Sequence, residues 1–300
     1  MENRGMLAWA LLIVLGMIWG GSFLAVELAL PEFGPVTIAA IRIAMGAVLV
    51  TIISFAIGHG LPDWRTDAGR KTYLFALGMA LFSNAIPFSL LSWGQIHVSS
   101  GYAGITMAVV PLLVLPLSHF FVPGMRLSFV QTLGFVIGFI GVVILIGPRQ
   151  ILESGGSEVE NIARIACILA SCCYAIGSIF TRMSPKGPML AFSSAALIFA
   201  SLVMIPFALI TEGTPNATSV KPWLAVVYLG VFPTALATAL LVYIVKTAGP
   251  PFLSLVNYMV PVWAVAFGMI FLSEALPGQF VGALGLILLG LAVSQLRWKR

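Results

Sequence analysis

Two ionisable side chains, Glu27 and Arg42, lie within the first two long apolar segments of the chain. Charged groups are costly inside a membrane, so each is a candidate for a functional role. Only the short turn 31–34 separates their segments, which predicts similar depths and favours an ion pair. Such a pair could form an outer gate or a docking point for a zwitterion. The alternatives are a structural pair, or side chains that extend to the headgroups.

Two asparagines add uncharged polar groups to the apolar segments. Asn84 precedes Pro87 by three residues, and Asn257 precedes Pro261 by four. An amide in lipid leaves donors unpaired at a cost of roughly 1–3 kcal/mol, so it must face protein or a watery cavity. Proline frees a backbone carbonyl that a cavity or ligand can satisfy. This combination suits the ammonium and carboxylate of an amino acid; hydrogen bonding between helices is the alternative.

Aromatic residues complete the predicted substrate-binding set. Trp19 and Tyr174 fall near the middle of their segments, which interfacial aromatic belts do not reach. A flat aromatic wall suits an apolar or aromatic substrate, and it attracts an ammonium group through cation–π contacts. Ordinary core packing is the alternative for each residue. The predicted aromatic members are Trp19, Tyr102, Tyr174, Tyr258 and Trp263.

The sequence shows none of the motifs that covalent chemistry needs. It contains no His-Glu-x-x-His run, no Gly-x-Ser-x-Gly and no P-loop, and its three histidines are scattered. Cys167, Cys172 and Cys173 share one apolar run and are interpreted as packing residues. We therefore predict no enzyme, no cofactor and no metal site. With no acidic or histidine side chain near a predicted midplane, transport is facilitative or coupled in a way that the sequence hides.

Composition identifies the solvent that surrounds most of the chain. Of its 300 residues, 60% are hydrophobic and 8% are charged, and the mean hydropathy is +1.08. Soluble domains carry roughly 25% charged residues, so the fold class predicted here is an all-α integral membrane protein. Ten apolar segments are long enough to span a bilayer: 6–30, 35–57, 72–93, 99–121, 128–147, 162–182, 189–210, 222–245, 251–271 and 278–296.

The basic residues predict the orientation. With both termini in the cytoplasm, 11 of the 15 Lys and Arg residues fall on the cytoplasmic side. Glutamates such as Glu32, Glu212 and Glu274 fall on the opposite side. The net charge of +5 thus reflects topology and not nucleic-acid binding. The predicted location is a bacterial plasma (inner) membrane, and the predicted partners are a small-molecule substrate and the lipid bilayer.

Weak internal similarity divides the chain into two halves. The stretches 108–112 and 258–262 match at a spacing of 150 residues, and Gly21-Ser22 recurs as Gly177-Ser178. We predict five-helix repeats at 1–147 and 162–300, joined by an extracytoplasmic linker at 148–161. Because five is odd, the repeats insert in opposite orientations, a plan that places the substrate pocket near the midplane. The glycines Gly134 and Gly138 could pack the repeat-ending helices together or mediate a dimer, so a monomer or weak homodimer is expected.

These features resemble the drug/metabolite transporter superfamily in its ten-helix form with two EamA-type repeats. The resembling residues are Trp19-Gly20-Gly21-Ser22-Phe23, Arg42, Pro111, Pro261, Glu274, Gly282 and Gly290. The chain looks most similar to the YddG-like amino-acid exporter branch. This resemblance implies export of amino acids, with aromatic or apolar ones preferred, by alternating access.

The chain departs from the superfamily pattern at two places. Glu274 has Gly124 as its counterpart in the first half, and the middle of the first segment lacks the glutamate of small multidrug exporters. Exchange of a cation for protons is therefore not implied. Export of a sugar, a nucleotide-sugar or a cationic drug is the alternative, and a membrane-embedded enzyme is a remote one. Phosphorylated cargo is disfavoured because Arg42 alone could clamp a phosphate.

Overall fold

The computed structural model describes residues 5–122, 124, 126–146 and 158–295, apart from the side chains of residues 250 and 251. This part of the chain consists of helices joined by turns and loops and contains no strand. It forms ten apolar helices, as predicted: α1 Met6–Ala29, α2 Pro35–Ala56, α3 Asp67–Gly94, α4 Ser100–Phe121, α5 Phe129–Ile146, α6 Glu158–Met183, α7 Met189–Thr211, α8 Val220–Ala248, α9 Val256–Leu272 and α10 Gly278–Gln295.

Two helices begin earlier than their hydropathy predicts. The α3 helix starts at Asp67 because the Thr66 side chain caps it, accepting a hydrogen bond from the Gly69 N–H at 3.0 Å. The α6 helix starts at Glu158, inside the predicted linker, with two glutamates in its first turn. The rest of that linker lies outside the described residues.

The surface of the bundle is suited to lipid. Nine of the described helices are long and apolar enough to cross a bilayer, and α9 is a shorter apolar helix of 17 residues. Large apolar side chains such as Leu74, Phe129 and Ile270 are exposed on different helices. Helices that are apolar on every face are typical of membrane spans. The chain is therefore a multi-pass membrane protein.

Helices of one half pack on helices of the other half. The α1 helix contacts α8 and α9, while α6 makes the equivalent contacts with α3 and α4. Extensive contacts also pair α5 with α10 and α2 with α7. This reciprocal pattern fits two related halves. Following the predicted orientation, we call the end of the bundle with the α1–α2 turn and Glu274 the outer end. The end with Asp63 and Arg182 is the inner end.

Glycines allow the closest of these helix contacts. A Cβ at Gly290 would collide with the backbone of Gly134 and Gly138, so α5 and α10 touch backbone to backbone. A Cβ at Gly20 in α1 would collide with Trp263 in α9. Gly134 and Gly138 were expected either to pack the two repeat-ending helices together or to mediate a dimer. In the structure they pack α5 against α10.

Two π-helical turns interrupt the long helices at matching places. They cover Ala80–Ala85 in α3 and Gly230–Leu236 in α8, which start 150 residues apart. Proline lies just after the first turn, as Pro87, and inside the second, as Pro233. Because proline lacks the N–H that an α-helix needs, the wider π turn accommodates the lost hydrogen bond. The regular spanning helix is therefore broken near the middle of the bundle.

A valine at Gly290 should destabilise the protein by at least about 1–3 kcal/mol, because the α5 and α10 backbones leave no space for a side chain. Gly285 on the same helix has no atom within 4 Å of an added Cβ, so Gly285→Val is the matched control. Thermal unfolding of the two purified variants in detergent checks this. Equal melting temperatures would contradict the packing described.

Candidate functional site

Arg42 forms the centre of the candidate site. It is 6% exposed, and its guanidinium carbon lies 3.7 Å from the centroid of the Phe88 ring. Its Nε has no hydrogen-bond partner, and no salt bridge reaches it in the part of the chain that the structure describes. The phenols of Tyr174 and Tyr228 are its electrostatic neighbours. The site therefore holds a buried cation among aromatic rings.

These side chains come from four helices near the middle of the bundle. Arg42 lies on α2, Phe88 on α3, Tyr174 on α6 and Tyr228 on α8. The ring centroids of Phe88 and Tyr174 are 6.2 Å apart, in an edge-to-face arrangement. Two helices from each half thus build the site, which is the arrangement expected of a pocket between the halves.

The expected ion pair between Glu27 and Arg42 is not formed. Glu27 lies two residues before the end of α1, whereas Arg42 lies seven residues after the start of α2. At about 1.5 Å per residue, their backbones differ in depth by roughly 7 Å, so the depths do not match. The Arg42 side chain contacts Phe88, while Glu27 lines a cavity at the outer end.

Trp19 adjoins this site through hydrogen bonds between α1 and α8. Its indole Nε1 donates to the carbonyl of Pro233 at 3.1 Å. The Tyr228 hydroxyl donates to the carbonyl of Ile18, the residue before Trp19, at 3.1 Å. The indole thus uses a carbonyl of the α8 π turn, as expected where the regular helix is broken.

Asn84 occupies a structural position in the first π turn. Its amide donates to the carbonyl of Met79, five residues earlier, at 3.2 Å. In the second half, the Thr234 hydroxyl donates to the carbonyl of Leu229, also five residues earlier, at 2.8 Å. Asn84 and Thr234 are 150 residues apart. Each polar side chain satisfies a carbonyl beside its π turn, so the Asn84 donor bonds within its own helix.

The remaining predicted residues are dispersed. Tyr102 is buried at the outer end of α4, edge-to-face with Phe280 at 5.2 Å. Asn257 is the second residue of α9, because that helix begins only at Val256. Trp263 packs on α1 and stacks on Phe267, farther along α9. Tyr258 is partly buried against the same apolar core cluster as Trp19 and Tyr174. Of the predicted residues, the structure thus brings Arg42 and Tyr174 together around Phe88, with Trp19 adjacent.

Three glutamates at the outer end bind helix N-termini of the opposite half. Glu212 accepts from the N–H groups of Val36 and Thr37 at 3.0 and 2.8 Å, at the start of α2. Glu274 accepts from Ser100 and Gly101 at 2.8 and 2.9 Å, at the start of α4.

The third contact completes this set. Glu32 accepts from Thr218 and Ser219 at 2.6 and 3.0 Å, just before α8. The first turn of a helix has N–H groups without partners and a partial positive charge, so a carboxylate binds well there. We call Glu32, Glu212 and Glu274 the outer clamp, because each joins one half of the chain to the other.

Helices that start at the inner end are capped differently. Thr66 caps its own helix α3, and Ser128 and Gln131 bond reciprocally at the start of α5. These caps are local and do not join the halves. A contact between the halves at this end runs from the Arg182 guanidinium to the Ser118 hydroxyl at 3.2 Å.

Two cavities open at opposite ends of the bundle and carry opposite charge. The outer cavity, about 540 Å³, is lined by Glu27, Glu32 and Gln95 together with the α1–α2 turn. The inner cavity, about 530 Å³, is lined by Arg182, Lys186 and residues of the α2–α3 loop. Among the described residues, no group of three His, Cys, Asp or Glu side chains could hold a metal ion.

Sequence reasoning missed several residues of these sites. Phe88 and Tyr228 carry no local signal that separates them from other core aromatic residues. The sequence placed the three glutamates of the outer clamp on the outer side of the membrane but did not predict their hydrogen bonds. Their partners are 173 to 187 residues away in the chain. The usable signal was the position of each glutamate just after an apolar segment, on the side of the membrane where other segments begin.

Thr234→Val should lower the stability by about 1–3 kcal/mol, because it leaves the buried Leu229 carbonyl without its donor. Thr234→Ser keeps the hydroxyl and is the matched control. Thermal unfolding in detergent distinguishes them. Equal melting temperatures of the Thr234→Val and Thr234→Ser variants would show that the hydroxyl does not stabilise the π turn.

Glu32 gives a prediction for pH. Hydrogen bonds from the Ser219 hydroxyl and from the N–H groups of Ser219 and Thr218 lower its pKa below the ordinary 4.5. Because its pKa is lowered on folding, the ionised Glu32 stabilises the folded protein above pH 4.5. This stabilisation is lost as the pH falls through the lowered pKa. Glu32→Gln should therefore melt below the wild type at pH 7, with a gap that closes only below pH 4.5. A gap that is already absent at pH 6 would contradict this.

Comparison with known proteins agrees with this architecture. A solved crystal structure with 21% sequence identity superimposes with a TM-score of 0.67, and the alignment covers 96% of each chain. An uncharacterized transporter of Archaeoglobus fulgidus is 27% identical over 95% of this chain and 97% of its own. The inner membrane transporter YedA of Escherichia coli is 26% identical over 95% of this chain and 89% of its own.

One relative has a name that includes a substrate. A probable terminal-alkyne amino-acid exporter of Streptantibioticus cattleyicolor is 23% identical over 94% of this chain and 92% of its own. The EamA-like transporter family matches residues 6–147 and 161–295, which cover both halves. The resemblance to EamA-type transporters is thus confirmed, and the chain belongs to the EamA-like transporter family.

Proposed function

We propose that this membrane transporter exports amino acids with apolar or aromatic side chains, and that Arg42 binds their carboxylate. The observation that carries the proposal is the buried Arg42 guanidinium, stacked on Phe88 and without an acidic partner in the described chain. An uncompensated buried charge is costly, so an anionic ligand at this place is favoured.

The geometry of Arg42 suits a carboxylate. One face of the guanidinium covers the Phe88 ring, which leaves the N–H groups at its edge for an acceptor in the same plane. A planar carboxylate accepts two such bonds side by side. A phosphate carries more charge than one arginine balances, and a cationic drug would be repelled. The amino-acid exporter from Streptantibioticus cattleyicolor supports the same substrate class.

Aromatic rings around Arg42 suit the other end of the substrate. Phe88, Tyr174 and Tyr228 lie beside the guanidinium, and Trp19 adjoins Tyr228. Such rings favour an apolar or aromatic side chain over a sugar, which needs many hydrogen bonds. We assign the substrate pocket to this aromatic group near the midplane, between the proposed inverted halves 1–147 and 162–300.

Export by alternating access follows from the unequal ends. The outer clamp ties the halves together, whereas helix caps at the inner end are local. At the inner end a side-chain hydrogen bond from Arg182 to Ser118 joins the halves, and we propose that this end opens to admit the substrate. With the predicted orientation, this is the cytoplasmic side of a bacterial inner membrane. The Arg182 and Lys186 side chains at the inner cavity attract carboxylates.

Transport by the purified protein in proteoliposomes tests the substrate class. Radiolabelled phenylalanine, leucine, glucose and a cationic dye are compared, with and without a pH gradient. Saturable phenylalanine and leucine flux without glucose flux supports the proposal. Flux of the dye alone, driven by the gradient, would contradict it.

Removal of the Arg42 charge should abolish recognition of the carboxylate. The wild type should transport phenylalanine at least about tenfold better than phenylalaninamide, because a charged hydrogen-bonded pair contributes about 1.5–3 kcal/mol. Arg42→Gln should lose this preference, and Arg42→Lys should keep part of it. Competition with labelled phenylalanine, on variants that elute as single species, measures the ratio. An unchanged ratio in Arg42→Gln would exclude this role.

A further inference from the structure

The outer cavity contains buried oxygen acceptors that have no donor. Glu27 Oε2 and Gln95 Oε1 are buried and have no hydrogen-bond partner, and both residues line this cavity of about 540 Å³. Gln95 is 3% exposed, and its Nε2 already donates to the carbonyl of Phe23 at 2.8 Å. The Gln95 side chain is also a hydrogen-bonding neighbour of the Glu27 carboxylate, and its Oε1 has no donor at the wall of the cavity.

The charge around these acceptors is negative. Glu274 is an electrostatic neighbour of Glu27, and Glu32 lines the same cavity. None of these three carboxylates forms a salt bridge within the residues that the structure describes. A ligand that fits must therefore bring positive charge and hydrogen-bond donors together.

We propose that this cavity binds the primary ammonium group of the molecule that leaves the transporter, with Glu27 and Gln95 as its acceptors. That the molecule is an amino acid rests on the proposed function. An ammonium group has three donors and is satisfied by two or three oxygens. A bare metal ion such as Ca²⁺ takes six to eight oxygens, and no group of three His, Cys, Asp or Glu side chains in the described chain is placed to hold a metal ion.

This site is distinct from the one at Arg42. The two backbones differ in depth by roughly 7 Å, and Arg42 contacts Phe88 instead of the outer cavity. The ammonium and carboxylate of an amino acid share one carbon atom, so one molecule does not reach both sites at once. The substrate is thus held first by its carboxylate at the centre and then by its ammonium at the outer end. Glu27 and Gln95 thus form the second site, which we call the exit site.

Binding of an amine that lacks a carboxylate tests the exit site. Phenethylammonium chloride is titrated onto the purified full chain, and stabilisation against heat gives the dissociation constant. Glu27→Gln should weaken binding by about tenfold or more, because it removes a charge-assisted hydrogen bond. Glu158→Gln removes an exposed outer charge outside this cavity and should bind as the wild type does. Glu27→Asp, which keeps the charge, shows whether a loss comes from misfolding.

Each outcome decides the proposal. Loss of binding in Glu27→Gln alone, with no effect of NaCl compared with choline chloride, supports it. Equal affinity in Glu27→Gln, or displacement of the amine by Na⁺, overturns it. Amine binding that depends on Glu27 without any amino-acid flux would leave the exit site in place and reject the proposed substrate. Amino-acid flux with amine binding that does not need Glu27 would reject the exit site alone.

Discussion

Carboxylates that bind helix N-termini across the two halves hold the outer end of this transporter together. Glu32, Glu212 and Glu274 each accept hydrogen bonds from two backbone N–H groups at the start of a helix in the opposite half, or just before it. The favourable contact between a carboxylate and a helix start is therefore also a contact between the two halves. At the inner end, caps of the Thr66 kind stay within one helix. This difference between the ends supports the proposed entry of substrate at the inner end and its release at the outer end.

A second constraint comes from the lipid, where every backbone polar group needs a partner. The two π turns break this rule near the middle of the bundle, and polar side chains restore it. Asn84 and Thr234 satisfy carbonyls beside the turns, and Trp19 satisfies the carbonyl of Pro233. Close to these turns, the buried Nε of Arg42 keeps an unused donor. An irregular backbone, its polar side chains and an unpaired cation thus occur together where a pocket is expected.

The sequence alone predicts the ten helices, because spanning segments need only length and apolar composition. It also selects Arg42 and Tyr174, since a charge and a central aromatic residue are unusual there. It does not pair residues correctly. The Glu27–Arg42 pair was inferred from a short turn, but Glu27 lies two residues before the end of α1 and Arg42 seven residues after the start of α2. The sequence used Glu274 only as an indicator of the outer side of the membrane. It did not predict the contacts with Ser100 and Gly101, because these residues are distant in the chain.

The distance across the outer end, measured by double electron–electron resonance, tests the central claim most directly. Spin labels at Ile96 in the first half and Thr214 in the second occupy exposed positions there, in a chain without its three cysteines. With the clamp intact and no substrate, we expect one narrow distance distribution. Replacing Glu212 and Glu274 by glutamine should add a population at longer distances. An unchanged distribution in this variant would show that the carboxylates do not hold the halves together.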